Sequence, residues 1–380
     1  MKFMRSKLIY SILVVVILIL IVATINNKGE NPPKSDFNSI DISNVLSNDK
    51  NKSVFKRAIN PIKFIFPKDH GSHPEYQTEW WYFTGNLRDT DNNRFGYQLT
   101  FFRRALGSKT SNDNSAWRSN EVYFAHFAIT DVKNEKYYSF EKWSRAVPKL
   151  AGSDSGNLGV WIDDWRVTAY LDKGYLLESN SENKSISLIL KQAKKEVLNG
   201  NKGLSQKSME PGNASYYYSI TRLNTTGKII IDGSEYVVEG LSWFDHEWST
   251  SVLAPNQTGW DWFSIQLGDN TDIMIYVLRL KDGSVDPFSS GTFVDNLGNA
   301  EHLSSSDFYV NIKDYWKSPK TNIKYPSKWN ITIPKHSLTL DVEPVLNNQE
   351  FSHSFTYWEG AVRVSGGNIS GEGYVELTGY

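Results

Sequence analysis

Residues 77–103 run QTEWWYFTGNLRDTDNNRFGYQLTFFR, and their reading decides the fold. Residues 77–87 are rich in aromatic side chains, which suit a pleated, half-buried surface. Asp89-Thr90-Asp91-Asn92-Asn93 is a cluster of turn-forming residues. Residues 95–103 then alternate, with Phe95, Tyr97, Leu99 and Phe101 set against Gln98 and Thr100. The stretch predicts a β-hairpin. The same signals recur on both sides. Strands are predicted over 121–132, 158–171, 174–179, 186–192, 216–223, 228–231 and 236–244, with Asp232-Gly233-Ser234 among the turns. This spacing suits an up-and-down antiparallel sheet that closes on itself. After Pro255 the scheme restarts, with strands over 259–268, 272–280, 290–294, 329–333, 338–344, 356–365 and 372–377. Helical periodicity is scarce; residues 139–147, stopped by Pro148, are the best candidate for a short helix.

At 380 residues and 39% hydrophobic content the chain can build two cores. The formal net charge is −1 and no long basic run occurs, which argues against nucleic-acid binding. The absence of cysteine excludes disulfides and thiolate chemistry. Lys2, Arg5 and Lys7 precede a predominantly apolar run over 8–25. At ~18 residues this is near the lower limit for a membrane-spanning helix. No clean small-x-small cleavage site follows, so an uncleaved anchor is favoured over a removed signal peptide. The charge distribution then leaves a short cytosolic N-terminus and an extracytoplasmic globular part on a single-pass cell-membrane protein. The expected organisation is an anchor or signal over 1–25, a polar linker over 26–59 with a short amphipathic stretch at 40–46, and two domains over 60–255 and 256–380.

The chemistry concentrates in Trp243-Phe244-Asp245-His246-Glu247-Trp248. On a strand, Trp243, Asp245 and Glu247 face one way and Phe244, His246 and Trp248 the other. Either face carries ionisable groups among indoles, an expensive arrangement unless it is used or well satisfied. Two further segments echo it, Glu79-Trp80-Trp81-Tyr82 and Trp260-Asp261-Trp262. The three are expected to meet around one aromatic-walled cavity. His126 fits a hydrogen-bonded structural role better than a catalytic one. His70, His73, Glu75 and His246 match no specific zinc spacing, so no metal and no cofactor are expected. No Gly-x-Ser-x-Gly elbow is present. Acid–base work fits better. A carboxyl held among indoles resists ionisation and can donate a proton, aromatic faces stabilise a developing cation, and an imidazole orients water.

With these residues in hand, the chain resembles the lipocalin-like proteins grouped with carotenoid 1,2-hydratase and the AttH proteins. The matching pieces are Glu79 to Gly85, Phe95 to Arg103, Trp243 to Trp248, Gly259 to Phe263, Tyr357 to Val362 and Gly373 to Tyr380. The resemblance implies an all-β chain with two lipocalin-like antiparallel β-barrel domains, here after an N-terminal transmembrane helix. The hydratase branch adds water to a terminal double bond without a cofactor. Its important His and Trp fall on His246 and Trp248. Its acid falls two positions after the match to Tyr276, where this chain has Leu278. The chain is closer to the AttH branch. The expected catalytic set is therefore His246, Glu247, Asp245, Trp248 and Tyr276, with Glu247, Asp245 or Asp261 as the proton source. The expected ligand contacts are Glu79, Trp80, Trp81, Tyr82, Trp243, Trp260, Asp261 and Trp262. Three readings stand: a membrane-anchored hydro-lyase acting on an isoprenoid or other long apolar chain, a carrier of the same ligand, and an accessory subunit of a membrane export complex.

Overall fold

The computed structural model describes residues 54–107, 120–171, 174–251 and 253–380. The expected apolar segment 8–25 and the amphipathic stretch 40–46 lie outside the described residues. Within the described residues, no helix is long and apolar enough to cross a membrane. Two curled antiparallel sheets account for nearly all of the described secondary structure.

The opening hairpin forms as its alternation requires. Strands β1 (Thr78–Asp89) and β2 (Arg94–Ala105) flank a turn in which Asn92 adopts φ 62° and the Asp89 carboxylate accepts the Asn93 N–H. The meander continues through β3 (Glu121–Asp131) and β4 (Lys136–Arg145). A second arm follows, comprising β5 (Ala151–Ser153), β6 (Gly159–Ile162), β7 (Trp165–Tyr170), β8 (Gly174–Ser181), β9 (Lys184–Gln192), β10 (Val197–Leu198), β11 (Leu204–Gln206), β12 (Ala214–Ile231) and β13 (Ser234–Ser249). The last strand of this series pairs with the first, giving the order β4-β3-β2-β1-β13-β12-β9-β8-β7-β6-β5 among the described residues. The edge strand β4 touches β6, so the sheet is a near-barrel.

The second sheet repeats this plan. It comprises β14 (Gln257–Leu267), β15 (Asp272–Leu280), β16 (Ser290–Val294), β17 (Ala300–Ser304), β18 (Tyr309–Lys317), β19 (Lys324–Ile333), β20 (Leu338–Pro344), β21 (Glu350–Ser352), β22 (Thr356–Gly366) and β23 (Ile369–Leu377). Its order is β17-β16-β15-β14-β23-β22-β20-β19-β18, again with first strand against last, and it forms a half-barrel. The chain changes sheet between Ser249 and Gln257.

Two local expectations are corrected. Residues 139–147 do not form a helix; most of them lie in β4, paired to β3 along its length. Local helical pattern is overridden there by an unpaired strand edge that β4 satisfies. Residues 158–171 are not one strand but the hairpin β6–β7, broken where Asp163 adopts φ 59°.

Strand alternation sorts the apolar side chains into three cores. Trp81, Phe83, Phe244 and Trp248 fill the interior of the first sheet. Phe263, Ile265, Trp329 and Val375 fill that of the second. The third core lies between the sheets and holds Tyr82, Phe102, Trp243, Trp262, Tyr276 and Tyr357. Gly96 permits this close approach, because a Cβ there would sit 2.8 Å from the Ala361 Cβ and 2.9 Å from the Tyr374 hydroxyl. Buried polar ties fix the arrangement. Asp272 takes the Arg222 guanidinium at 2.6 Å and the Lys194 ammonium at 2.8 Å. Arg94 donates to the Val362 carbonyl at 2.9 Å, and Gln266 to the Thr221 carbonyl at 2.7 Å.

Candidate functional site

Register decides which motif residues meet. Across β1, β13 and β12, Tyr82 stands opposite Asp245, which stands opposite Ser219. Trp80 stands opposite Glu247, which stands opposite Tyr217. All of these point away from the first sheet's interior. In the second sheet Trp262 lies between Tyr276 and Glu376, and Glu376 stands opposite Glu359. The two sets enclose a cavity of about 70 Å³ between the sheets. Its walls include Trp80, Tyr82, Tyr217, Trp260, Trp262, Tyr276 and Leu278, with Gln98, Lys207, Asp245, Glu247, Glu359 and Glu376 as polar members. Trp80 and Trp260 are half-buried and mark the mouth.

The carboxyl groups in this wall are unequal. Asp245 is clamped by the Ser219 hydroxyl at 2.5 Å, the Tyr217 hydroxyl at 2.5 Å and the Trp243 indole N–H at 2.7 Å. Burial outweighs these donors and raises its pKa to about 7. Glu359 receives the Tyr82 hydroxyl on Oε1 at 2.5 Å, while its Oε2 is buried with no partner. Burial and the neighbouring Glu376 push Glu359 well above the usual carboxylate range. Desolvation at the cavity wall raises Glu376 to about 8. Acids directly opposite on neighbouring strands repel when both are ionised, so this pair holds a proton near neutral pH. Gln98 donates to the Tyr357 hydroxyl at 3.0 Å, and its own carbonyl oxygen is buried and unpartnered. His126 lies behind this wall, 2.7 Å from the Tyr357 hydroxyl and 3.3 Å from Glu141.

A separate cluster occupies the interior of the first sheet. The fully buried Glu79 carboxylate lies 2.9 Å from His246 Nε2, 2.8 Å from His73 Nδ1 and 3.0 Å from Arg103 Nε. Burial alone would raise the Glu79 pKa, but Arg103 and the two imidazoles hold it well below the usual range. Burial would likewise depress His73, yet bonds to Asp69 and Glu79 lift it to about 9. Burial lowers His246 despite Glu79. His246 stacks on Trp81 at 5.0 Å and His73 on Trp248 at 3.7 Å. His70 bonds the Tyr218 hydroxyl at 2.6 Å, and burial depresses it to about 3. Among the described residues, the ligand atoms of His73, Glu79 and His246 lie within 4.8 Å of one another. They hydrogen-bond directly, and Arg103 takes the remaining oxygen of Glu79.

The motif residues are therefore divided between two places. Asp245, Glu247, Tyr276, Trp80, Tyr82, Trp260 and Trp262 line the inter-sheet cavity. Trp243 holds Asp245 from behind. His246, Trp248, Glu79 and Trp81 face the opposite side of the first sheet, so the expected single cavity joining His246 to Asp245 and Glu247 is not formed. Adjacent residues on one strand cannot share a face. Asp261 likewise turns away, to Arg279 and the Tyr380 hydroxyl. Sequence reasoning missed Glu359, Glu376, Lys207 and Gln98. Glu359 carried a signal, being the one acid of β22, whereas Glu376 shares β23 with Glu372.

The chain belongs to the AttH-like family, whose model matches residues 57–380. An AttH protein of Nitrosomonas europaea is 30% identical, with a TM-score of 0.77 over 86% of this chain and 100% of that one. Kievitone hydratase from Nectria haematococca superposes with a TM-score of 0.66 at 14% identity, over 86% of this chain and 96% of that one. CghA, solved with Sch210972, gives 0.50 at 12% identity, over 88% and 98%. No curated protein matches the chain. The fold is lipocalin-like and is shared with kievitone hydratase.

Proposed function

We propose that the inter-sheet cavity binds an unsaturated apolar molecule of isoprenoid or lipid type and adds water across one C=C bond. One observation carries this reading: Glu359 lines an aromatic-walled cavity, with one buried oxygen that accepts no N–H or O–H and with surroundings that keep its carboxyl protonated.

The reaction balances within the cavity. The π electrons take the Glu359 proton to one alkene carbon. Tyr217, Trp260 and Trp262 face the cation left on the other carbon. Asp245, ionised above about 7, adds a fixed negative charge. Water in the cavity attacks the cation. The proton it sheds passes to the Glu359–Glu376 pair and restores the acid. The cavity is small and holds a few waters at ~15 Å³ each, so it suits the end of a chain rather than its length. In this scheme His246 and Trp248 maintain the sheet that carries Asp245.

The test is recovery of bound lipids from the purified protein by mass spectrometry, followed by incubation and a search for a mass gain of one water. Gain with wild type and none with Glu359→Gln supports the reading; identical, unchanged ligand from both leaves a carrier. We further propose that residues 8–25 anchor the protein with its globular part outside the cytoplasm. Release of the full chain by a carbonate wash of membranes contradicts this.

A further inference from the structure

The polar endowment of the cavity exceeds what a hydrocarbon needs, and Lys207 is the clearest case. Its side chain is nearly buried, and its ammonium lies 3.3 Å from Glu247 Oε1. The ammonium also sits over the Tyr276 ring, 4.0 Å from its centroid, and over the Tyr217 ring at 5.5 Å. The residue is set in place rather than draped over the surface. Its N–H donates to the Asn213 carbonyl at 2.9 Å, and its carbonyl accepts from the Gln257 amide at 2.7 Å. The same Glu247 oxygen accepts from the Ser215 hydroxyl. An ammonium has three N–H donors; Glu247 and the Tyr276 hydroxyl take two, and one is left on a residue that lines the cavity.

A pure hydrocarbon would seal the remaining donor of this ammonium from water while offering it no hydrogen bond. Such a loss works against binding. A ligand oxygen reverses the sign at Lys207, because an alcohol or ketone oxygen accepts an N–H and adds no net charge beside four carboxyl groups. A carboxylate ligand is disfavoured there, since Asp245, Glu247, Glu359 and Glu376 line the same small space.

We propose that the substrate is an oxygenated, unsaturated terpenoid, an alcohol or ketone, whose oxygen is held by Lys207 while its double bond lies at Glu359. This rests on the inter-sheet cavity being the ligand site. It adds a specificity residue, Lys207, and narrows the substrate from apolar chains in general to those with a neutral oxygen function.

Geraniol and myrcene share one carbon skeleton, and only geraniol carries oxygen. Titration of the full-length protein with each, followed by quenching of the tryptophans at the cavity mouth, measures the difference. Geraniol is expected to bind at least ~10-fold more tightly than myrcene. In Lys207→Met the two affinities converge through loss of geraniol binding. Because that change strands Glu247, the double variant Lys207→Met/Glu247→Leu is measured in parallel and is expected to show the same convergence. Equal binding of both probes to wild type, or a preference for geraniol that survives in the double variant, overturns the proposal and leaves the cavity as a ligand site. Failure of both probes to bind overturns the ligand site itself and the proposal with it.

Discussion

The two faces of the strand Ser234–Ser249 carry similar residues and treat them in opposite ways. On the inner face His246 and Trp248 join Glu79, Arg103 and His73 in a cluster where both Glu79 oxygens are bonded and opposite charges neutralise one another, although the Trp248 indole N–H has no partner. On the outer face Asp245 and Glu247, well bonded themselves, look into a cavity whose carboxyl groups outnumber its cations and where Glu359 Oε2 and the Gln98 carbonyl oxygen stay unpaired. A satisfied cluster is a means of holding sheets together. An unsatisfied one stores the capacity to bind or react. The comparison shows that crowding of ionisable groups in a sequence does not locate chemistry; the pairing does.

Substitutions can break the comparison. The largest expected effect is on rate: Glu359→Gln should lower water addition by ~10²–10⁴-fold while leaving the urea midpoint nearly unchanged, because general acids contribute at that scale. A variant that unfolds instead would assign the outer face to stability. Next comes Glu79→Ala, which removes the buried partner shared by Arg103, His73 and His246 and leaves Arg103 with Glu121, and should cost ~3–5 kcal/mol in denaturant titrations. Normal stability with lost ligand binding would reverse the roles of the faces. His246→Asn should cost less, ~1–3 kcal/mol, through the bond to Glu79 and the stack on Trp81. Retained geraniol binding in the folded fraction would sharpen the distinction.

The smallest effect expected is the pH dependence. Asp245 is raised from 3.8 to about 7, Glu376 from 4.5 to about 8, and His73 from 6.5 to about 9. Each binds a proton more tightly when folded, so its stabilisation is full below the ordinary value and is lost as pH rises through the folded one. Glu79, held low, works oppositely, and its contribution fades only in strong acid. The melting temperature should therefore fall between pH 5 and pH 9. In Asp245→Asn the part of that fall below about pH 7 should shrink.

Much of the fold was legible because strand periodicity is local. The hairpin at 77–103 and the restart after Pro255 follow from alternation and turn residues alone. The errors were local as well. Residues 139–147 carry a weak helical pattern, and only the exposed edge of β3 makes them a strand. The candidate site was legible by halves. Asp245, Glu247, Tyr276 and the Trp80, Trp260 and Trp262 rings were readable as candidates from residue type and from likeness to the family. Gln98 and Lys207 look ordinary in sequence, and Glu359 and Glu376 lie far along the chain from Asp245.

Composition, alternation and motif were enough to establish an all-β chain of the AttH type, with Trp243 to Trp248 on a strand whose successive side chains face opposite ways. Which face encloses a cavity was decided only in three dimensions. A strand's period sets the sides its residues take, but what stands opposite each side depends on a second sheet. Here that sheet brings Glu359 and Glu376 to Asp245 and leaves His246 to Glu79.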